Sequence, residues 1–175
     1  MKLPETRRLC LRRFSQNDAP FILSLLNDDS LLHFIGDKGV KSLADARDYL
    51  VHGPLASYER HGFGLYLVTL KQGGGPIGIC GLLKRDALDD VDLGFAFMTQ
   101  YTGQGYGTEA ATAVLAYGQT VLGLKRIVAV TRADNIRAIH VLKKLGLQYE
   151  GMVRLAAGEE ESMLFGVGKM QQPGA

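Results

Sequence analysis

Hydrophobic and polar residues alternate along "RRLCLRRF", which predicts a strand over 7–14 with Leu9 and Leu11 on one face. The period then lengthens. In "SQNDAPFILSLLNDDSLLHF" apolar residues fall at helical spacing, and Ser15 to Asp18 supply the caps. Gly36 to Gly39 break that pattern. "SLADARDYLVHGPLASYERHG" restarts a helix at Ser42, with Asp45 completing a weak capping box. Pro54 kinks or interrupts this helix. Three strand-like runs follow, "FGLYLVTLK", "IGICGLLKR" and "VDLGFAFM". The turns between them, "QGGGP" and "DALDD", are short, so the runs predict an antiparallel meander. Gly94, inside the third run, marks a bulge.

Helical spacing returns over 105–122 and stops at Gly123, after which "LKRIVAVT" reads as a strand. "DNIRAIHVLKKLG" predicts a helix with Asp134 as N-cap and Gly146 at its C-terminal end. "LQYEGMVRLAA" and "ESMLFGVGK" form a last hairpin. The predicted order is β-α-α-β-β-β-α-β-α-β-β, with one βαβ unit over 91–131. That order is an α/β fold on a mixed sheet, mostly antiparallel at one end. A chain of 175 residues without repeat or linker predicts one domain, 1–168, and a disordered tail, 169–175.

Composition narrows the function. Apolar residues make up 46% and charged residues 22%, which is ordinary for a soluble globular chain. A net charge of +2 gives no reason to expect nucleic acid or membrane as a partner. No apolar run approaches the ~18 residues of a membrane span. The basic run "RRLCLRR" reads as a strand with a solvated face, against the alternative of a nucleic-acid patch. Cys10 and Cys80 lie far apart in strand-like segments and read as buried thiols. His33, His52, His61 and His140 lack metal-ligand spacing, so no metal is expected. These features point to a cytoplasmic, reducing setting.

The chemistry concentrates in "TQYTGQGYGTEAA", where Gly103, Gly105 and Gly107 crowd the start of a helix. A helix N-terminus offers unpaired amides and a partial positive charge, and glycines let backbone close around an anion. No GK[ST] is present, which argues against a nucleoside triphosphate loop. Gly105, Gly107 and Ala110 spell GxGxxA, a dinucleotide fingerprint, with Asp134 downstream as its acidic residue. The antiparallel strands ahead of the cluster oppose that reading. A glycine-rich helix start without a ligand is the remaining alternative.

"TGQGYGTEA" and "NIRAIHVLKKLGL" together resemble the GNAT superfamily of acetyl-CoA-dependent N-acetyltransferases. The first resembles its pyrophosphate loop. The second resembles its other cofactor helix, with Asn135 at the motif's asparagine. "ETRRLCLRRFSQNDA" and "PIGICGL" are similar to the branch that acetylates N-terminal amines of ribosomal proteins. The resemblance covers about residues 5–166. It implies a twisted sheet splayed open between the strands at 91–98 and 125–131, with acetyl-CoA in the gap. Amides of Gln104, Gly105, Tyr106, Gly107 and Thr108 would hold the pyrophosphate. Backbone near Phe95 and Phe97 would pair with the pantetheine arm, as an added strand would. Asn135 would bond pantetheine or nearby backbone, or simply cap its helix. The chain departs from the family pattern at Thr102, where glutamine or arginine is usual. It departs again at Ala138 and Leu142, where a serine or a tyrosine acid stands in other members.

The implied reaction is direct attack of an amine on the thioester in a ternary complex. Deprotonating a lysine amine of pKa ~10.4 at pH 7 costs about 4–5 kcal/mol, and an α-amine near ~8 only about 1–1.5. Asp92 is the candidate general base, against the alternative of a turn carboxylate beside Asp89 and Asp90. Asp92, Gly94 and Ala96 share a strand face opposite Leu93, Phe95 and Phe97. Glu109 is a second candidate base, although its first-turn position suits the helix dipole. Tyr149 could protonate the thiolate, and a thiol of pKa ~8.5 can also leave unassisted. Amides where the 95–98 strand bulges would serve an oxyanion. Substrate walls are expected from the loop 28–39, with His33 and Phe34, and from the hairpin 155–162 with its acidic "GEEES". The partners are thus acetyl-CoA and a primary amine, on a peptide N-terminus or a small molecule. An open sheet edge permits a homodimer. A non-catalytic acyl-CoA-binding module is the competing reading, because both helix-borne acids are missing.

Overall fold

The computed structural model describes residues 2–168; the expected tail at 169–175 lies outside them. Strands β1 (Leu9–Arg12), β2 (Leu65–Leu70), β3 (Pro76–Leu83), β4 (Val91–Phe97), β5 (Arg126–Thr131), β6 (Gln148–Val153) and β7 (Ser162–Gly168) form one sheet. Their order is β1-β2-β3-β4-β5-β7-β6. Every neighbouring pair is antiparallel except β4 and β5. The predicted meander is β2-β3-β4, and the predicted βαβ unit is the single parallel step, crossed by α5 (Tyr106–Thr120).

Period-two patterning fills two cores. On β2, Tyr66 and Val68 face α5, where Ala110, Ala111, Val114 and Leu115 are buried. Leu65 and Leu67 alternate onto the other face, against α1 (Ala19–Leu26) and α3 (Leu43–Leu50). Helices therefore cover both faces of the meander. On the far side of α5, α6 (Ile136–Lys144) buries Ala138 and Leu142.

Three local expectations change, and the interruption expected at Pro54 takes a definite form. The helical run after Ser15 breaks into α1 and α2 (Asp29–Ile35), because Asp28 caps a new helix by accepting from the Ser30 amide at 3.1 Å. Pro54 widens the next helix into a π turn, Val51–Leu55, before α4 (Ala56–His61). Gly94 makes no bulge: β3 and β4 keep register from Gly78↔Phe97 through Leu83↔Asp92. A cross-strand pair of Gly94 and Gly81 sits regularly in that ladder. The N-cap of α6 is Asn135, not Asp134, with its side chain accepting from the Ala138 amide at 3.2 Å. Asp134 is drawn away by Arg132 and His33.

Candidate functional site

The sheet forks at β4 and β5. Their pairing covers only Val91↔Ile127 and Asp92↔Val128, so from Leu93 onward the two strands separate. The Met98 amide donates to the Ile77 carbonyl at 3.0 Å, which sets the alternation along β4. Asp92, Gly94, Ala96 and Met98 turn their backbone groups to β3. Leu93, Phe95 and Phe97 turn theirs to the opening. Among the described residues the peptide groups of Phe95 and Phe97 are thus an unpaired strand edge inside the fork. The expected oxyanion donors at a 95–98 bulge lose the bulge, but the amides of this edge remain.

The glycine loop closes the mouth of the fork. Gly105 caps α5 at φ +83°, a conformation that a side chain would strain. A Cβ there would also meet an Arg8 nitrogen at 3.3 Å. Consecutive amides of Gly105, Tyr106, Gly107 and Thr108 find no acceptor among the described residues, while Glu109 bonds the Gly105 carbonyl at 3.0 Å. Four aligned, free donors at a helix start are suited to a diphosphate. The Gln104 amide likewise finds no acceptor among the described residues, while its carbonyl accepts from Arg8 and its side-chain amide donates to the Gln100 carbonyl.

Arg8 and Glu109 form a clamp that the sequence did not reveal. Glu109 accepts from Thr6 Oγ1 at 2.8 Å, from the Arg8 amide at 3.0 Å and from Arg8 Nε at 2.6 Å. Desolvation pushes the Glu109 carboxyl up, and the bonds from Thr6 and Arg8 together bring it below its ordinary value. Both oxygens are occupied, so Glu109 serves as a tether and not as a base. Arg8 lies over the Tyr106 ring at 4.3 Å. Across the loop, Arg137 Nη1 donates to Thr102 Oγ1 at 2.6 Å. The alternation of "RRLCLRR" could have placed Arg8 on the solvent face; only the crossing of α5 over the start of β1 places it on the loop.

Asp92 sits where the fork closes, and it is 1% exposed. Its Oδ1 is 3.3 Å from Arg85 Nε. Burial raises its carboxyl above the ordinary range, and the Arg85 charge and hydrogen bond oppose that without cancelling it. Gly94 and Ala96 follow on the same face, and the Leu83 and Leu65 side chains fill the space beside Gly94.

Helix α2 borders the opening and is pinned at both ends. Asp28 accepts from the Thr99 amide at 3.1 Å and from Thr99 Oγ1 at 2.7 Å. His33 Nε2 lies 2.9 Å from Asp134 Oδ2, and its ring meets Phe34 edge-on. This joins the β4 arm to the β5 arm. Tyr149 is on β6, with β7 and β5 between it and the fork, so it is out of place as an acid. In the "GEEES" turn the glutamates are exposed and Glu160 faces Arg132 at 3.5 Å. Among the described residues no cluster of three or more metal-ligating side chains forms, and no helix is long and apolar enough to cross a membrane.

Comparison with known proteins agrees with this geometry. A family model described as an acetyltransferase (GNAT) domain matches residues 8–148. An uncharacterized N-acetyltransferase of Bacillus subtilis, YoaA, is 28% identical over 152 residues, covering 86% of this chain and 85% of its own. The spermidine N(1)-acetyltransferase of Escherichia coli is 24% identical over 153 residues, 85% of this chain and 77% of its own. A solved ribosomal L7/L12 alpha-N-protein acetyltransferase, in complex with coenzyme A, superposes at a TM-score of 0.80 with 16% identity. That superposition covers 95% of this chain and 97% of the other, and it is a likeness of fold.

Proposed function

This chain belongs to the GNAT acetyltransferase family and is an acetyl-CoA-dependent N-acetyltransferase, and on that premise we propose that its acceptor is a weakly basic primary amine, a peptide N-terminal α-amine. Bound acetyl-CoA supplies the acetyl thioester. The amides of Gly105 to Thr108, with Gln104 alongside, hold the pyrophosphate. The open peptide groups of Phe95 and Phe97 align the pantetheine arm, and Asn135 adds a bond from the start of α6. The amine enters past His33 and Phe34. Asp92 accepts the amine proton through one water, since its carboxylate is recessed. The new N–C bond forms as the C–S bond breaks, the thiol sulfur keeps that bonding pair, and solvent protonates it.

The burial of Asp92 carries the choice of amine. A recessed base paired with Arg85 gives weak help to an amine that costs about 4–5 kcal/mol to deprotonate, and enough to one that costs about 1–1.5. The solved N-terminal acetyltransferase of like fold supports the same class. The spermidine relative favours a second acceptor, a polyamine, drawn by the acidic turn at Glu159, Glu160 and Glu161. The reading includes a cytoplasmic setting, which the two unpaired thiols, Cys10 and Cys80, support. Thiol release with acetyl-CoA and a panel of amines tests it. Peptides with a free N-terminus should turn over and N-blocked, lysine-free peptides should not. Turnover confined to polyamines would replace the α-amine with the second acceptor.

A further inference from the structure

Thr102 stands at the opening of the loop, and its hydroxyl is engaged twice. It donates to the Thr99 carbonyl at 2.7 Å and accepts from Arg137 Nη1 at 2.6 Å. Arg137 belongs to the first turn of α6, where the macrodipole disfavours a cation. A nearby carboxylate would relieve that cost, and among the described residues Arg137 has none. Asp134, the nearest acid along the chain, is held by Arg132 at 3.1 Å and His33 at 2.9 Å. Arg8, on the other side of the loop, is neutralised by Glu109 at 2.6 Å. The exposed Arg137 is therefore an oriented, uncompensated charge. A guanidinium has five N–H donors, and here Thr102 occupies one of them. It sits at the opening of the same loop whose amides, Gly105 to Thr108, are also without acceptors.

We propose that Arg137 is a donor-binding residue: resting on Thr102, its guanidinium contacts the pyrophosphate of acetyl-CoA and supplies the charge that Thr102 lacks. The inference rests on the loop being the donor site. It adds a charged contact that comes from the β5 arm of the fork, whereas the loop continues the β4 arm. Binding the donor thus draws the two arms to one ligand.

Calorimetric titration with CoA and with dephospho-CoA, which lacks the 3′-phosphate, tests it without reference to turnover. Arg137→Met should weaken both ligands by the same factor, about tenfold, as loss of a charged hydrogen bond does. Its ligand-free melting temperature should match that of the wild type, because the side chain is exposed. Adding Thr102→Arg to Arg137→Met should restore affinity for both. Unchanged affinity in Arg137→Met overturns the proposal alone, provided that the wild type binds. Loss confined to CoA also overturns it, by assigning the contact to the 3′-phosphate. Failure of the wild type to bind either ligand would remove the donor-site assignment itself.

Discussion

At Asp92, burial and a guanidinium act on one carboxyl group in opposite senses. Burial dominates and raises the pKa, with Arg85 pulling it back in part. In the folded state the charged form is the penalised one, so the stability that this group contributes is present below its unfolded pKa. That contribution is lost as pH rises through the folded value. Catalysis needs the opposite, charged state, so the wild-type rate should fall as pH drops through the raised pKa. Asp92→Asn should lower kcat/KM about 100-fold, most strongly below the amine's own pKa, and flatten the acid limb. A pH–rate profile on an N-terminal peptide checks this, and an unchanged profile removes Asp92 as base. Gly105 is decided by backbone. Gly105→Val would force a side chain into a φ of +83° and toward Arg8, and turn the free amides away. CoA affinity should drop beyond detection by calorimetry; retained affinity would refute the loop assignment.

The two helices of the proposed donor site, α5 and α6, begin differently. α5 starts bare, with a glycine cap that leaves its first amides open, and its Glu109 is spent on tying Thr6 and Arg8 to the helix. α6 starts satisfied, with the Asn135 oxygen closing on the Ala138 amide. Asn135→Ala should therefore cost about 1 kcal/mol of stability through the lost cap. Asn135→Asp keeps an acceptor and should melt like the wild type, yet bind CoA more weakly, because it has no side-chain N–H to give. Thermal melts beside titrations separate the two roles. Equal affinity in Asn135→Asp would leave the residue a cap alone. The mistaken cap at Asp134 has the same origin: one acid and one amide stand side by side, and Arg132 with the distant His33 decided which side chain was free.

Across the whole molecule the proposed function rests on the fork, which is held at a set opening by contacts between its arms. His33 to Asp134 is one, joining a helix of the meander half to the β5–α6 loop. His33→Ala should raise KM for the amine several-fold and leave CoA affinity unchanged, since the proposed reading puts the pair at the acceptor side; steady-state kinetics with calorimetry distinguish the outcomes. Period and punctuation alone made much of this architecture legible. The alternation in "FGLYLVTLK" and its neighbours determined the meander, the lengthened period after Gly105 determined the crossover helix, and the glycines ahead of it determined a loop with open amides. These are local properties, governed by side-chain spacing and φ freedom within a few residues. Whether Asp92 is open to solvent, whether Glu109 tethers or titrates, and where Arg8 and Arg137 converge depend on partners 7, 101, 96 and 35 residues away. Only packing brings such groups within hydrogen-bond reach, and so the tertiary structure decided the charges around a glycine loop that the sequence had already drawn.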